Sequence, residues 1–250
     1  MPERILKKLS EIEEIEDIIV RGSYAKSNWI KGWSDLDLVI VLKNSQNLEK
    51  IFSKIGKILA ESEIQVGIDF VYNFETPRKM KEMFKIGYKS PYATLELIKY
   101  GKSLKSGKYL KKIRNEKEFI KAIINKRKNF EFIQDYLWHL RREMLKLESD
   151  LSIKNVKTIF GLVFLISKRF VNLKHPDKLM EYPEEIAKNF RKLYPNFNWK
   201  ILEKMVKIRK NFKKYKLKSL KKICYDGFIL AEKIYRFCVK NEVWKNGNLG

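Results

Sequence analysis

Apolar residues in the first part of the chain alternate between helical spacing and short continuous runs. Leucines and isoleucines recur every three or four positions in residues 3–17 and 47–60, which predicts two amphipathic helices. Apolar, partly β-branched runs at 18–20, 35–42 and 65–72 predict three strands. Helices and strands that alternate in this way predict an α+β domain built on a small mixed sheet.

Shorter elements connect and follow these strands. Gly22-Ser23 predicts a turn, and residues 24–30 predict a short helix after it. Residues 75–89 have the pattern of a loop with a short amphipathic piece. A helix is predicted over 91–99, and an edge strand at 103–104.

The second part of the chain has helical spacing throughout, with few glycines and prolines. This pattern predicts an all-α helical bundle. The predicted helices span 117–149, 154–173, 183–193, 198–212 and 216–241. We therefore predict a first domain over residues 1–112 and a basic, all-α second domain over 113–250.

The net charge of +24 is distributed unevenly between these two parts. Residues 1–112 carry 21 Lys/Arg against 15 Asp/Glu, whereas residues 113–250 carry 33 against 15, a net charge of +18. Such an excess favours a polyanionic partner, with RNA, DNA or nucleotides as the main candidates. The alternative is a solvated, lysine-rich surface of the kind found in some thermophiles.

Cysteine usage and hydropathy indicate the compartment. Cys224 and Cys238 lie in one predicted helix without a metal-ligand or redox spacing, so we expect buried thiols in a reduced, cytoplasmic protein. The longest strongly apolar run, residues 159–166, is too short to span a membrane. Residues 1–8 are charged and lack the apolar core of a signal peptide. No membrane association is expected.

Two carboxylates separated by one residue lie at the start of the second predicted strand. Side chains alternate faces along a strand, so Asp35 and Asp37 point the same way, about 7 Å apart. Like charges this close repel unless a positive charge lies between them, and Mg²⁺ is the simplest candidate. Asp69, inside the third strand, could reach the pair. Three such carboxylates can hold two Mg²⁺ ions for phosphoryl or nucleotidyl transfer.

The residues around this pair offer phosphate ligands. The Gly22-Ser23 turn could supply backbone N–H groups and a hydroxyl to a triphosphate. Ser34, which precedes the carboxylate pair, and Lys26 are further candidates for nucleotide binding. For Lys26, a solvated helix face is an equally good interpretation.

These motifs resemble those of the DNA polymerase β-like nucleotidyltransferase superfamily. Its signature is an apolar residue, then Gly and Gly or Ser, followed about a dozen residues later by Asp, an apolar residue and Asp or Glu. The corresponding segments here are V-R-G-S, S-D-L-D-L and I-D-F. The resemblance covers residues 18–73 and extends loosely to about 110. It implies that Asp35, Asp37 and Asp69 are the catalytic metal ligands and that Gly22 and Ser23 contact the triphosphate.

The connection between the two motifs is similar to that of archaeal tRNA CCA-adding enzymes and oligoadenylate synthetase-like proteins. It departs from their pattern at Ser27, Asn28 and Lys31. The short layout is closer to minimal nucleotidyltransferases and antibiotic nucleotidyltransferases, in which a helical C-terminal domain helps to bind the substrate.

From the residues and the resemblance together we predict a Mg²⁺-dependent nucleotidyltransferase. It would move a nucleoside monophosphate from an NTP, with ATP as first choice, to a hydroxyl acceptor. The first choice of acceptor is RNA, tRNA included, because the basic helical domain could follow a phosphate backbone. Alternatives are a protein hydroxyl or a small molecule, as in antitoxin-like or antibiotic-modifying relatives, and a catalytically idle module that binds RNA or protein.

A second, weaker motif occurs in the helical part. HEPN domains, which often accompany minimal nucleotidyltransferases, cut RNA with an Arg and a His four to six residues apart. Arg169 and His175 have that spacing, although Phe170 stands where a polar residue is usual. A simple loop position for His175 is the favoured interpretation.

Overall fold

The computed structural model describes residues 2–43, 46–79, 91–176, 178–180 and 182–245. The chain forms two compact units, Met1–Ile123 and Ile124–Gly250. The first unit therefore continues beyond residue 112, where the sequence pattern places the boundary. The division of roles between the two parts stays a prediction.

The first unit contains a sheet and helices before and after it. In chain order its elements are α1 (Pro2–Ser10), β1 (Ile15–Arg21), α2 (Gly22–Ala25), β2 (Leu36–Leu42), α3 (Leu48–Ala60), β3 (Val66–Tyr72), α4 (Pro91–Tyr100), β4 (Lys102–Ser103), α5 (Lys108–Arg114) and α6 (Lys117–Ala122). The strands lie in the order β3-β2-β1-β4. β1 is antiparallel to β2 and β4, whereas β2 and β3 are parallel. The predicted α+β class and mixed sheet are confirmed.

The core of this unit lies on one face of the sheet. Alternate β2 residues, from Leu36 through Leu38 and Ile40 to Leu42, are buried together with apolar residues of α1 and α3. Because side chains alternate along a strand, the intervening residues of β2 point to the opposite face. Asp37 is the one polar residue among them, and its position on a central strand sets up the site described below.

The predicted helix over 3–17 is wrong in its second half. α1 ends at Ser10, and Ile15 instead begins β1, where it is the register partner of Leu42. The helical spacing of the isoleucines continues into this segment, but so does a run of acidic residues from Glu13. Carboxylates at the C-terminal end of a helix oppose its dipole, and the apolar residues are buried better in the sheet.

Asp17 on β1 is fully buried and fixes the segment after β4. Its carboxylate accepts hydrogen bonds from Ser103 Oγ (2.8 Å), Lys105 N (3.1 Å) and Gly107 N (3.0 Å). Gly107 has a φ of +65°, the left-handed region that favours glycine. A buried charge is tolerated here because each donor points at it. Asp17 is therefore a structural carboxylate.

The second unit is helical in all its described elements. They are α7 (Lys126–Ser149), α8 (Ile153–Asn172), α9 (Pro183–Leu193), α10 (Lys200–Lys210), a 3₁₀ turn (Phe212–Lys214) and α11 (Leu217–Lys240). An aromatic cluster packs at its centre, with Phe170 stacked on Tyr194 at 3.9 Å between ring centroids. Cys224 and Cys238 are buried as expected, and burial raises the pKa of both thiols to about 12.

Two further predicted segments, 117–149 and 75–89, differ from the structure or lie mostly outside the described residues. The helix expected over 117–149 is interrupted, because Asn125 caps α7 by accepting a hydrogen bond from Lys128 N (2.8 Å). Most of the piece expected over 75–89 lies outside the described residues. Among the residues that are described, no helix is long and apolar enough to cross a membrane.

Candidate active site

Asp37 lies near the start of the central strand β2, on the face opposite the core formed with α1 and α3. It is half-buried and is the register partner of Arg21 on β1 and of Gly67 on β3. Paired residues on neighbouring strands point to the same face of a sheet, so the Arg21 side chain shares this face. Asp69 is two residues beyond Gly67 and also faces this way.

Two glycines make room for the Asp37 carboxylate. A Cβ at position 22 would lie 2.2 Å from Asp37 Oδ2, and one at position 67 would lie 3.1 Å from Oδ1. Gly22 also has a φ of +67°, which side-chain-bearing residues rarely adopt. Glycine is thus needed at position 22 for two reasons. It allows the positive φ, and it leaves the space that the Asp37 carboxylate fills.

Arg21 reaches across β2 to Asp69. Its Nη2 lies 2.8 Å from Asp69 Oδ2. The strands that carry the two residues flank β2, so they are about 10 Å apart and the guanidinium must extend over the face that bears Asp37. Arg21 Nε is buried and has no hydrogen-bond partner among the described residues.

The electrostatics of Asp37 are dominated by burial. Burial raises the pKa of its carboxyl above the ordinary value of 3.8, and the nearby charges of Asp35 and Asp69 raise it further. Arg21 and Lys26 act in the opposite direction without cancelling these effects. The pKa therefore stays raised, so the ionised form of Asp37 is disfavoured in the folded protein.

Asp35 directly precedes β2 and is half-buried. The strand thus begins one residue later than predicted. Asp35 is close enough to Asp37 to raise the pKa of that residue. However, no group of three His, Cys, Asp or Glu side chains is arranged to hold a metal ion in the described part of the chain. Asp35, Asp37 and Asp69 therefore do not form one three-carboxylate group, and Asp69 is paired with Arg21.

The residues on this face fit a divalent cation in their chemistry. The donors are carboxylate oxygens, the ligand type that Mg²⁺ prefers. Asp37 is half-buried, and this burial disfavours its ionised form even though Arg21 and Lys26 lower its pKa, a cost that a bound cation would relieve. Arg21 carries a positive charge on the same face, where it is paired with Asp69.

Two of the remaining predicted nucleotide ligands, Ser34 and Lys26, have partners within the protein. Ser34 Oγ accepts a hydrogen bond from Ile30 N (3.1 Å) and so closes the loop before β2. Lys26 Nζ lies 3.0 Å from Glu96 Oε2 on α4, and the Lys26 side chain is only 9% exposed. A solvated helix face for Lys26 is therefore wrong. Ser23, in the first turn of α2, is half-buried.

Arg169 and His175 do not form an exposed pair. Arg169 is 2% exposed and lies over the Phe132 ring, 5.5 Å from its centroid. His175 is exposed in the turn after α8. The favoured interpretation of His175 as a loop residue is confirmed.

Two residues of this site were missed by sequence reasoning. Arg21 has no role in the sequence prediction beyond its place in V-R-G-S, although a charged residue at the end of a buried strand is a signal of a possible site. Gly67 lies inside a strand, a position that often marks close approach of another group. That signal was present in the sequence, but the group that approaches is identified only by the pairing of β2 with β3.

A cavity of about 520 Å³ lies elsewhere in the same unit. It is lined by Asn73, Phe74, Thr76, Arg78, Lys79, Lys112, Asn115 and Glu116. Asn73 follows the end of β3 that pairs with Leu42, at the opposite end of β2 from Asp37. The cavity is therefore separate from the carboxylate face.

Comparison with known proteins gives a family match for this chain. A family model described as "Nucleotidyltransferase domain" matches residues 2–155, more than half of the chain. The match includes the sheet, the Gly22 turn and all three carboxylates, and it continues into α8. No curated protein matches the chain.

Proposed function

Because this chain belongs to the nucleotidyltransferase domain family, we propose that it transfers a nucleoside monophosphate from an NTP to a hydroxyl acceptor in a Mg²⁺-dependent reaction. ATP is our first choice of donor. The observation that carries the proposal is the position of Asp37, whose carboxylate fills the space left by Gly22 and Gly67 on a face that also bears Asp69. Such a constrained carboxylate is typical of a catalytic site rather than a surface charge.

Asp35, Asp37 and Asp69 are the residues proposed to hold the metal, with two ions as the full complement. Bound Mg²⁺ would neutralise the triphosphate and lower the pKa of the acceptor hydroxyl. Arg21 competes for Asp69, so Asp69 is fully available to a cation only when Arg21 releases it. Gly22 and Ser23 would present backbone N–H groups and a hydroxyl to the phosphates.

Ser34 and Lys26 have more indirect proposed roles. The Ser34 hydroxyl accepts a hydrogen bond within the loop that precedes Asp35, and its O–H group could still donate a hydrogen bond to a phosphate. Lys26, paired with Glu96, adds positive potential near Asp37. A direct contact of Lys26 with phosphate requires that it leave Glu96.

RNA, tRNA included, is the proposed acceptor class. Residues 124–250 carry 30 Lys/Arg against 13 Asp/Glu, a net charge of +17, which suits a phosphate backbone. A protein hydroxyl or a small molecule remains the second candidate class. We place the reaction in the cytoplasm, since the free cysteines are suited to a reducing compartment.

The test is transfer of label from each of the four [α-³²P]NTPs to total RNA and total protein of the source cells. We expect RNA to be labelled, with ATP as the preferred donor. Asp35→Asn and Asp37→Asn should each lower transfer at least 100-fold, because each removes a charge that only a carboxylate supplies. Asp135→Asn, at an exposed position of α7, is the matched control and should transfer normally.

Normal transfer by the Asp37→Asn protein would contradict the proposal. Label in protein, with none in RNA, would leave the reaction class in place and replace the acceptor. Unfolding curves measured on the same variants would show whether lost activity comes from lost structure.

A further inference from the structure

One stretch of the helical unit concentrates positive charge far beyond its surroundings. Residues 204–222 contain ten Lys/Arg and no Asp or Glu. They form the end of α10, the 3₁₀ turn and the start of α11, and we call them the basic corner. The corner thus contributes +10 of the +17 carried by residues 124–250, although it has only 19 of their 127 residues.

Most lysines of the basic corner are exposed and unneutralised. Seven of them form no ion pair with the described residues, namely Lys204, Lys207, Lys213, Lys214, Lys216, Lys218 and Lys222. Two others at its margins are paired, Lys210 with Glu184 (2.7 Å) and Lys221 with Glu148 (2.9 Å).

Positive charge is less concentrated in the rest of the same unit, where the other 108 residues of 124–250 carry 20 Lys/Arg and 13 Asp/Glu. On α7, Glu131 faces Arg127 and Lys128, and Arg141 is paired with Glu232 (2.8 Å). A surface that is merely rich in lysine has no reason to lack acidic residues over one continuous stretch. The absence of acidic residues from the basic corner therefore requires a local explanation.

The charge of the corner also opposes local stability. Lys216 is the N-cap residue of α11 and makes no capping hydrogen bond through its side chain, and the first turn of the helix has no acidic residue. Cations at this end of a helix are unfavourable because the helix dipole is positive there. A sequence that departs from local electrostatic preference in this way is typical of a binding surface.

An aromatic side chain lies among these lysines. Tyr215 is 39% exposed in extended backbone between the 3₁₀ turn and α11. Lysines that follow a backbone and an exposed aromatic ring that can stack on a base are the two components of single-stranded nucleic acid binding. We infer that the basic corner binds the phosphate backbone of single-stranded RNA and that Tyr215 stacks on a base. Only the role of that RNA as acceptor rests on the proposed function.

The test compares two full-length variants with the same change in charge. The first replaces Lys213, Lys214, Lys216 and Lys218 of the basic corner with glutamine. The second replaces four exposed lysines of the same unit outside the corner, Lys188, Lys192, Lys233 and Lys240. The probe is a fluorescein-labelled 20-nucleotide RNA of mixed sequence, and its anisotropy is followed from 50 to 300 mM KCl.

The corner variant should bind at least about tenfold more weakly at 50 mM KCl. The slope of log K against log salt should become shallower by up to about 3, since each lost phosphate contact on a single strand contributes about 0.7. The second variant should bind within about threefold of the unchanged protein and keep the slope. Tyr215→Ala should weaken binding about fivefold or more while leaving the slope unchanged.

Equal weakening in both lysine variants would overturn the inference in favour of diffuse surface charge. Absence of RNA binding by the unchanged protein would also overturn it, as would RNA binding that the corner substitutions leave intact. Phosphatidylserine vesicles that bind through the same four lysines, with no RNA binding, would assign the corner to a membrane surface instead.

The Asp37→Asn protein separates this inference from the proposed function. It should lose transfer and bind the RNA probe like the unchanged protein. If the unchanged protein transfers no nucleotide but its RNA binding depends on the corner, the proposed function fails and the inference stands. If the protein transfers nucleotide to another acceptor and does not bind RNA, the inference fails and the proposed function stands.

Discussion

Substitution of Gly22 by alanine tests whether the position of Asp37 controls the reaction. The added Cβ would lie 2.2 Å from Asp37 Oδ2, whereas contacts of a Cβ atom below 3.0 Å essentially never occur. The carboxylate must therefore move by about 1 Å, or the turn must open. A displacement of about 1 Å in a catalytic group costs about 100-fold in rate.

The same substitution has a second cost that is unrelated to the site. At a φ of +67° a side chain destabilises the backbone by about 1–2 kcal/mol. Gly107→Ala is a control for this effect, because Gly107 has a φ of +65° and a Cβ there would meet its nearest atom, Ser103 Oγ, at 3.7 Å. Both substitutions carry the backbone cost, and only the one at position 22 disturbs Asp37.

We expect both variants to lose about 1–2 kcal/mol in urea unfolding. Transfer of label from [α-³²P]ATP should fall about 100-fold in Gly22→Ala and stay within about threefold of the unchanged rate in Gly107→Ala. If Gly22→Ala keeps the rate of Gly107→Ala, close packing of Asp37 against the turn does not matter for the reaction. If both variants lose activity, the shared backbone strain is the cause rather than displacement of Asp37.

Three further predictions concern the charges around Asp37 and Asp17. In EDTA, Asp37→Asn should be more stable than the unchanged protein at pH 7, because burial raises the pKa of Asp37 and its ionised form opposes folding. That advantage should disappear as the pH falls below 3.8, the ordinary pKa of the group. If denaturant unfolding shows the same advantage at every pH, ionisation of Asp37 is not its cause. Arg21→Met should lower the stability of the metal-free protein by about 1 kcal/mol and tighten Mn²⁺ binding several-fold in calorimetry, since it removes the cation that holds Asp69, whereas unchanged binding would show no competition. Asp17→Asn should lower the free energy of unfolding in urea by about 3 kcal/mol or more, because an amide N–H₂ would face the donors of Ser103, Lys105 or Gly107. A loss below about 1 kcal/mol would refute the structural role of Asp17.

Local periodicity was sufficient for β2, β3, α3 and α4, whereas the short helix expected over 24–30 is found at Gly22–Ala25 and α5 was not predicted. β2 and β3 were predicted to within one residue, because their apolar runs are short and bounded by polar segments. The helical spacing over 3–17 failed where isoleucines suited both a helix and a strand. The pairing of Ile15 with Leu42 decided between them, and that contact joins residues 27 positions apart.

The sequence by itself determined the chemistry that this protein presents. The spacing of Asp35 and Asp37, the Gly22 turn and the carboxylate of Asp69 all follow from local pattern, and the resemblance to nucleotidyltransferases rests on them.

Only the tertiary structure decided how those groups are arranged and balanced. The order of the strands puts Arg21 and Asp69 on either side of Asp37, so the guanidinium pairs with a carboxylate from another strand. Folding likewise buries Asp17 among donors from a segment about 90 residues away. The physical reason is that electrostatic and steric partners are set by contacts across strands, which the spacing of residues along one strand does not contain.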